Sequence, residues 1–235
     1  MYNMKMKIYA FVTIVAVTIA WSSTDGKENE IMEKDSTFRY LALGDSYTIG
    51  TSIARTDAFP YQLMDSIRVK TGLSDTEVKI IARNAWRTDD LQRAIKRTDL
   101  DTSYDIVSLL IGVNNQYQGL PLTDFAKDFN ALLDTCEKYG ISKSRIFVLS
   151  IPNYGYTPYG LEKREAITRE LALFNAVIQR SCNDRDISVY NVTDISLKAL
   201  ERPDFVAKDQ LHPSSSQYSA WISSFIDEVV KKLED

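Results

Sequence analysis

The sequence predicts one α/β domain, a three-layer α/β/α sandwich on a five-stranded, mainly parallel sheet. Three observations carry this. Short apolar runs alternate with longer stretches whose apolar residues recur at a helical period. The runs give way to glycine, proline or polar turn residues, as at Gly44, Gly112 and Pro152. No internal repeat, low-complexity tract or second composition regime divides the chain. Strands alternating with helices argue for parallel pairing with helices on both faces. With 235 residues, 44% of them hydrophobic and 26% charged, the chain suits one such domain plus a short extension.

The extension comes first. Lys5 and Lys7 precede Ile8–Ala20, which carries no charge. Thirteen such residues are too few for a bilayer-spanning helix, which needs about 20. A basic start and a short apolar core resemble a secretory signal peptide over residues 1–22. Retention as an uncleaved membrane anchor is the alternative. No cysteine is nearby for a lipoprotein-type anchor. Residues 23–37 are polar and aperiodic and read as a linker. The expected protein is therefore exported, with membrane contact only through the N-terminal segment.

The domain occupies residues 38–235. Phe38–Gly44 reads as its first strand. Phe59, Leu63 and Ile67 then share one helix face, and Gly72 closes that helix. Val78–Ala82 is the second strand and leads to a charged helix ending near Arg97. Tyr104–Ile111 is a continuous apolar strand. Leu122, Phe125, Phe129, Leu132, Leu133 and Cys136 mark the next helical stripe. Arg145–Ile151 is the fourth strand, and a long helix runs to about Asn183. Ile187–Tyr190 is a short fifth strand. Tyr218, Trp221, Ile222, Phe225, Ile226, Val229, Val230 and Leu233 give a terminal amphipathic helix.

Net charge is −4, and Lys and Arg alternate with Asp in stretches such as Arg87–Arg97. That is a solvated helix face, so no nucleic-acid partner is expected. His212 is the sole histidine, which disfavours metal chemistry built on several histidines. Cys136 and Cys182 have no metal-ligand spacing and fall on apolar helix faces, as small core residues. No metal and no organic cofactor are expected, and the protein is expected to be a monomer.

The chemistry-bearing residues sit where strands end. Gly44-Asp45-Ser46 follows the first strand, and open α/β sheets bind ligands beyond the carboxyl ends of their strands. Ser46 is thus either a nucleophile or the cap of the following helix. A hydroxyl nucleophile needs a base, and the base needs an orienting group. Asp209-x-x-His212 offers both in one turn, unless it is only a surface turn. Asn114, after the third strand, either donates its amide N–H to an oxyanion or forms a turn.

Together these residues resemble the SGNH (GDSL-type) hydrolase family. Gly44-Asp45-Ser46 matches the nucleophile block. Gly112-x-Asn114-Asn115 matches the GxND block, with Asn115 in place of the aspartate. Asp209-x-x-His212 matches the last block. Asn84-Ala85-Trp86-Arg87-Thr88 looks like the Gly-Trp-Thr-Thr variant of the second block, with Ala85 where the family has glycine. The resemblance implies a flavodoxin-like sheet and a serine esterase or acylhydrolase working through a covalent acyl-enzyme. Ser46 would attack, His212 would serve as base and then acid, and Asp209 would orient it. Ser46 N–H, Ala85 N–H and the Asn114 amide would form the oxyanion hole. If position 85 requires positive φ, alanine costs on the order of 1 kcal/mol there. Without a GxSxG elbow the α/β-hydrolase pattern does not apply.

Gln116–Gly119 and Tyr154–Tyr159 are expected to rim the site, with Asn115, Tyr117, Tyr154 and Tyr156 as substrate-contacting candidates. Their tyrosine and glycine content favours short acyl esters or acetylated glycans over long acyl chains. The alternatives are an acyltransferase or a catalytically silent carbohydrate-binding module on the same fold.

Overall fold

A computed structural model of the chain describes residues 37–101 and 103–234. The signal-peptide segment and all of the linker but Thr37 lie outside the described residues. The strands are β1 (Phe38–Gly44), β2 (Thr76–Ala82), β3 (Ile106–Leu110), β4 (Ile146–Leu149) and β5 (Ser188–Tyr190). The helices are α1 (Ser46–Ile49), α2 (Phe59–Thr71), α3 (Thr88–Lys96), α4 (Val113–Tyr117), α5 (Leu122–Tyr139), α6 (Arg164–Asn183), α7 (Thr193–Ser196) and α8 (Ser215–Glu234).

The sheet runs β2-β1-β3-β4-β5, and every pairing is parallel. β3 and β4 are wholly buried, and β1 nearly so, which explains their continuous apolar sequence. Helix α2 packs against α8, while α3 packs on α5 and α5 on α6. Right-handed crossovers put these two groups on opposite faces of the sheet. On the α2/α8 face, Phe59 lies between Tyr218 (6.2 Å) and Trp221 (6.4 Å), all three fully buried. Cys136 and Cys182 are buried as free thiols. Among the described residues, no helix is long and apolar enough to cross a membrane.

The register matters most for the site. Gly44 pairs with Ala82 on one side and with Leu110 on the other. The carboxyl ends of β2, β1 and β3 are therefore level, and their loops leave side by side. The chain moves outward from β1 to β2 and then back across to β3, so strand order reverses between β1 and β3. That reversal is where open α/β sheets place ligands. Gly44 is needed for the close approach, since a Cβ there would sit 2.3 Å from the Leu110 carbonyl oxygen and 2.1 Å from Thr48 Oγ1.

Two strands are shorter than their apolar runs predict. Tyr104 makes only an isolated bridge to Gly140, and Ile111 leaves β3 as the chain turns through Gly112, at φ +125°. Beyond β4, the Asn175 amide takes over the Ile151 backbone, accepting from its N–H (2.8 Å) and donating to its C=O (3.1 Å). A side chain from α6 thus replaces the ladder.

Candidate active site

The loop that carries Ser46 is built by Asp45. Its Oδ1 accepts from Tyr47 N–H at 3.0 Å and caps α1, so Ser46 becomes the first residue of a helix. The Ser46 N–H has no acceptor within α1 for the same reason. Asp45 is fully buried, and its Oδ2 has no hydrogen-bond partner. Burial pushes its carboxyl up to about 7, against smaller opposing effects of backbone hydrogen bonds. Below it, Tyr218 donates to the Tyr47 carbonyl at 2.8 Å, which ties the loop to α8.

Asp209 and His212 sit in the turn before α8. An antiparallel bridge between Val206 and Pro213 and the bond from Ala207 N–H to the His212 carbonyl (2.8 Å) close this turn. Asp209 Oδ1 accepts from the backbone N–H of Leu211 and of His212, both at 3.0 Å. Its Oδ2 lies 2.6 Å from His212 Nδ1, leaving Nε2 as the free ring nitrogen. Oδ2 also accepts from Ser52 Oγ at 2.6 Å. Burial alone would raise the Asp209 carboxyl. The hydrogen bonds from Ser52, His212 and Leu211 outweigh it and hold the group down at about 2. Tyr47 meets the His212 ring edge-on, with centroids 5.7 Å apart.

The third side comes from the loops after β2 and β3. Trp86 N–H closes a turn onto the Arg83 carbonyl at 3.3 Å, and Ala85 inside that turn has φ +63°. This is the left-handed backbone that glycine adopts freely and alanine does not. No hydrogen bond among the described residues uses the Ala85 N–H. Asn114 Nδ2 donates one proton to the Trp86 carbonyl at 2.9 Å, leaving its second proton available.

These three sides enclose a cavity of about 290 Å³. Ser46, Ala85, Asn114 and His212 all line it, with Tyr47, Asn84, Val113, Tyr117, Tyr154, Tyr159 and Leu211. Asp209 stands behind His212. No hydrogen bond joins Ser46 Oγ to His212 among the described residues. Such a bond commonly tightens only with substrate present.

Two of the sequence-predicted contact residues lie elsewhere. Asn115 is buried away from the cavity, where its amide accepts from Thr88 N–H (3.1 Å) and donates to Thr88 Oγ1 (2.8 Å). It fastens the start of α3. Tyr156 turns toward Arg164, whose guanidinium lies 5.5 Å from its ring centre. Tyr159, from the same predicted loop, lines the cavity instead.

Sequence reasoning missed Ser52 altogether. Nothing in spacing could find it, because 157 positions separate it from Asp209. Its backbone is left-handed, at φ +69°. Its neighbour Thr51 hydrogen-bonds Asn84, so one loop touches both Asp209 and the β2 loop.

Among the described residues, no group of three or more His, Cys, Asp or Glu side chains is placed to hold a metal ion.

Comparison with known proteins gives a consistent result. The profile of the GDSL-like lipase/acylhydrolase family matches residues 42–220. No curated protein sequence matches the chain. Among solved structures, a lipase/acylhydrolase from Enterococcus faecalis is similar at 17% identity and TM-score 0.64, over 83% of this chain and 96% of that one. A variant of an acetyl xylan esterase from Geobacillus stearothermophilus is similar at 16% identity and TM-score 0.62, over 82% and 94%. The esterase EstA from a Pseudoalteromonas species, in a structure inhibited by monoethylphosphonate, is similar at 16% identity and TM-score 0.60, over 84% and 99%. At these identities the structural likeness is one of fold.

Proposed function

The chain belongs to the GDSL-like lipase/acylhydrolase family and is an ester-hydrolysing enzyme, and from that premise we propose a covalent mechanism on Ser46 acting on short acyl esters or acetylated glycans. The observation that carries the mechanism is the His212–Asp209 pair, 2.6 Å apart, facing the cavity that Ser46 lines.

Ser46 Oγ attacks the ester carbonyl carbon as its proton passes to His212 Nε2. Asp209 holds the Nδ1–H tautomer and stabilises the imidazolium that forms. The negative charge on the carbonyl oxygen is met by the N–H groups of Ser46 and Ala85 and by the Asn114 amide. The carbonyl–alkoxy bond then breaks, and His212 gives its proton to the departing alcohol. Water, deprotonated by His212, splits the acyl–Oγ bond, releases the acid and restores the serine.

A short acyl group is supported by the small cavity, which lies at the lower edge of the range of about 300–1,000 Å³ for ligand sites. The glycan side is supported by the aromatic rim and by the fold shared with an acetyl xylan esterase. Asn115, bonded to Thr88 rather than lining the cavity, gives no support to a silent binding module.

Ser46→Ala is expected to abolish p-nitrophenyl acetate hydrolysis while the circular dichroism spectrum is retained. A fluorophosphonate probe should label the wild type at Ser46 and fail to label His212→Ala. Wild-type turnover in Ser46→Ala would overturn the reading.

A further inference from the structure

A second cavity, of about 390 Å³, adjoins the first and has a different character. Tyr117, Tyr154 and Tyr159 line both and form the wall between them. The Tyr117 and Tyr159 hydroxyls are hydrogen-bonded to each other at 2.7 Å. The Tyr154 ring lies beneath them, 6.3 Å from Tyr117 and 6.5 Å from Tyr159 between centroids. Beyond this aromatic wall the second cavity is lined by Gln116 and by the exposed Glu162, Lys163 and Glu170, with Ala166 and Ile167 among them. A hydrogen-bond chain organises that side. Tyr154 donates to Gln116 Oε1 at 3.0 Å, and Gln116 Nε2 donates to Glu170 Oε2 at 2.6 Å.

The chemistry of this lining selects its occupant. An acyl chain laid against Glu162, Lys163 and Glu170 would strip water from charges and return no hydrogen bonds. A group carrying several hydroxyls can donate to the two carboxylates and accept from the ammonium. In a pair of bonded tyrosine hydroxyls one proton is left over, and it too can be donated to the ligand. Aromatic faces between two polar clusters suit a ring with apolar C–H faces and hydroxyl edges. A quaternary ammonium group would share the aromatic wall and the two carboxylates, but it could neither donate a hydrogen bond to them nor accept one from Lys163.

We propose that the second cavity binds the alcohol portion of the ester, and that this alcohol is a polyhydroxylated, sugar-like group. The proposal rests on the esterase mechanism at Ser46 and assigns its leaving-group side. The acyl carbon stays in the first cavity at Ser46 Oγ. The alkoxy oxygen, which leaves with the proton from His212, carries the polyol past the tyrosine wall.

The test compares two acetates of similar size, a mono-O-acetylated methyl xyloside and cyclohexyl acetate, which lacks the hydroxyls. Wild-type kcat/KM is expected to favour the xyloside at least tenfold. In Glu170→Gln and in Lys163→Ala the preference should fall by about tenfold, mainly through KM, as charge-assisted hydrogen bonds to the polyol are lost. Rates are normalised to fluorophosphonate-labelled enzyme, so misfolded protein does not enter the ratio. Equal wild-type rates, a preference for cyclohexyl acetate, or a preference unchanged in both variants would overturn the proposal. Preference for acetylcholine over the xyloside would overturn it in favour of a cationic alcohol. Turnover of p-nitrophenyl acetate, measured alongside, separates the two readings. Turnover that depends on Ser46 with a flat ratio rejects the subsite alone. Turnover indifferent to Ser46→Ala rejects the mechanism beneath it.

Discussion

Ala85 concentrates the chemistry of the site in one backbone torsion. Ala85 lines the cavity with an unshared N–H at φ +63°, and an L-residue with a Cβ resists that conformation. Glycine would relieve the strain but would give the unfolded chain more freedom to lose. The net effect of Ala85→Gly is expected to be a stabilisation of up to about 1 kcal/mol. A thermal melt should show it as a rise of roughly 2–4 °C for a domain of this size. Esterase activity should be retained, since the N–H is preserved. A fall in melting temperature would mean that the alanine side chain contributes packing that outweighs its torsion. The residue was legible in the sequence only conditionally. The motif position pointed to it, but the sign of φ is a property of the turn from Arg83 to Trp86. Asn115 shows the converse, since a residue inside a matched motif faces Thr88 and not the cavity.

Between residue and fold, the loop after α1 is the element that joins the parts of the site. Thr51 reaches Asn84 beside Ala85, and Ser52 reaches Asp209 behind His212. Ser52 donates to the same carboxylate oxygen that lies against the imidazole, so in the proposed mechanism it would act through Asp209 as a positioning residue. Ser52→Ala is expected to lower kcat roughly tenfold, the scale of one hydrogen bond to a charged group, with little change in KM. A KM effect without a kcat effect would place Ser52 at the substrate rather than behind the triad. No such element could be read from the sequence. Helices announce themselves by period, and β1 and β3 by near-continuous apolar runs because they are buried on both faces. Loops that bond across long separations have no period. Even strand ends were blurred, because Asn175 captures the Ile151 backbone from α6.

For the molecule as a whole, two carboxylates set opposing pH dependences. Asp45 is raised from 3.8 to about 7 by burial, so the folded state binds its proton more tightly than the unfolded state does. Its contribution to stability is present below pH 3.8 and is lost as pH rises toward 7. Asp209 is lowered to about 2, so its contribution is present above 3.8 and is lost as pH falls toward 2. Asp45→Asn keeps an acceptor for the Tyr47 N–H but cannot titrate. Its melting temperature should therefore decline less than that of the wild type between pH 4.5 and 7.5. Parallel curves for the two proteins over that range would show that Asp45 titrates alike in the folded and unfolded states.

The whole-molecule arrangement also has a consequence in time. Ser46 follows β1, whereas Asp209 and His212 stand just before α8, the last of the described helices. The Tyr218–Tyr47 bond and the Ser52–Asp209 bond hold the two ends of the site together. In the proposed mechanism a growing polypeptide would therefore carry its serine for most of the domain's synthesis without a base to activate it, and the hydroxyl would be armed only when α8 docks.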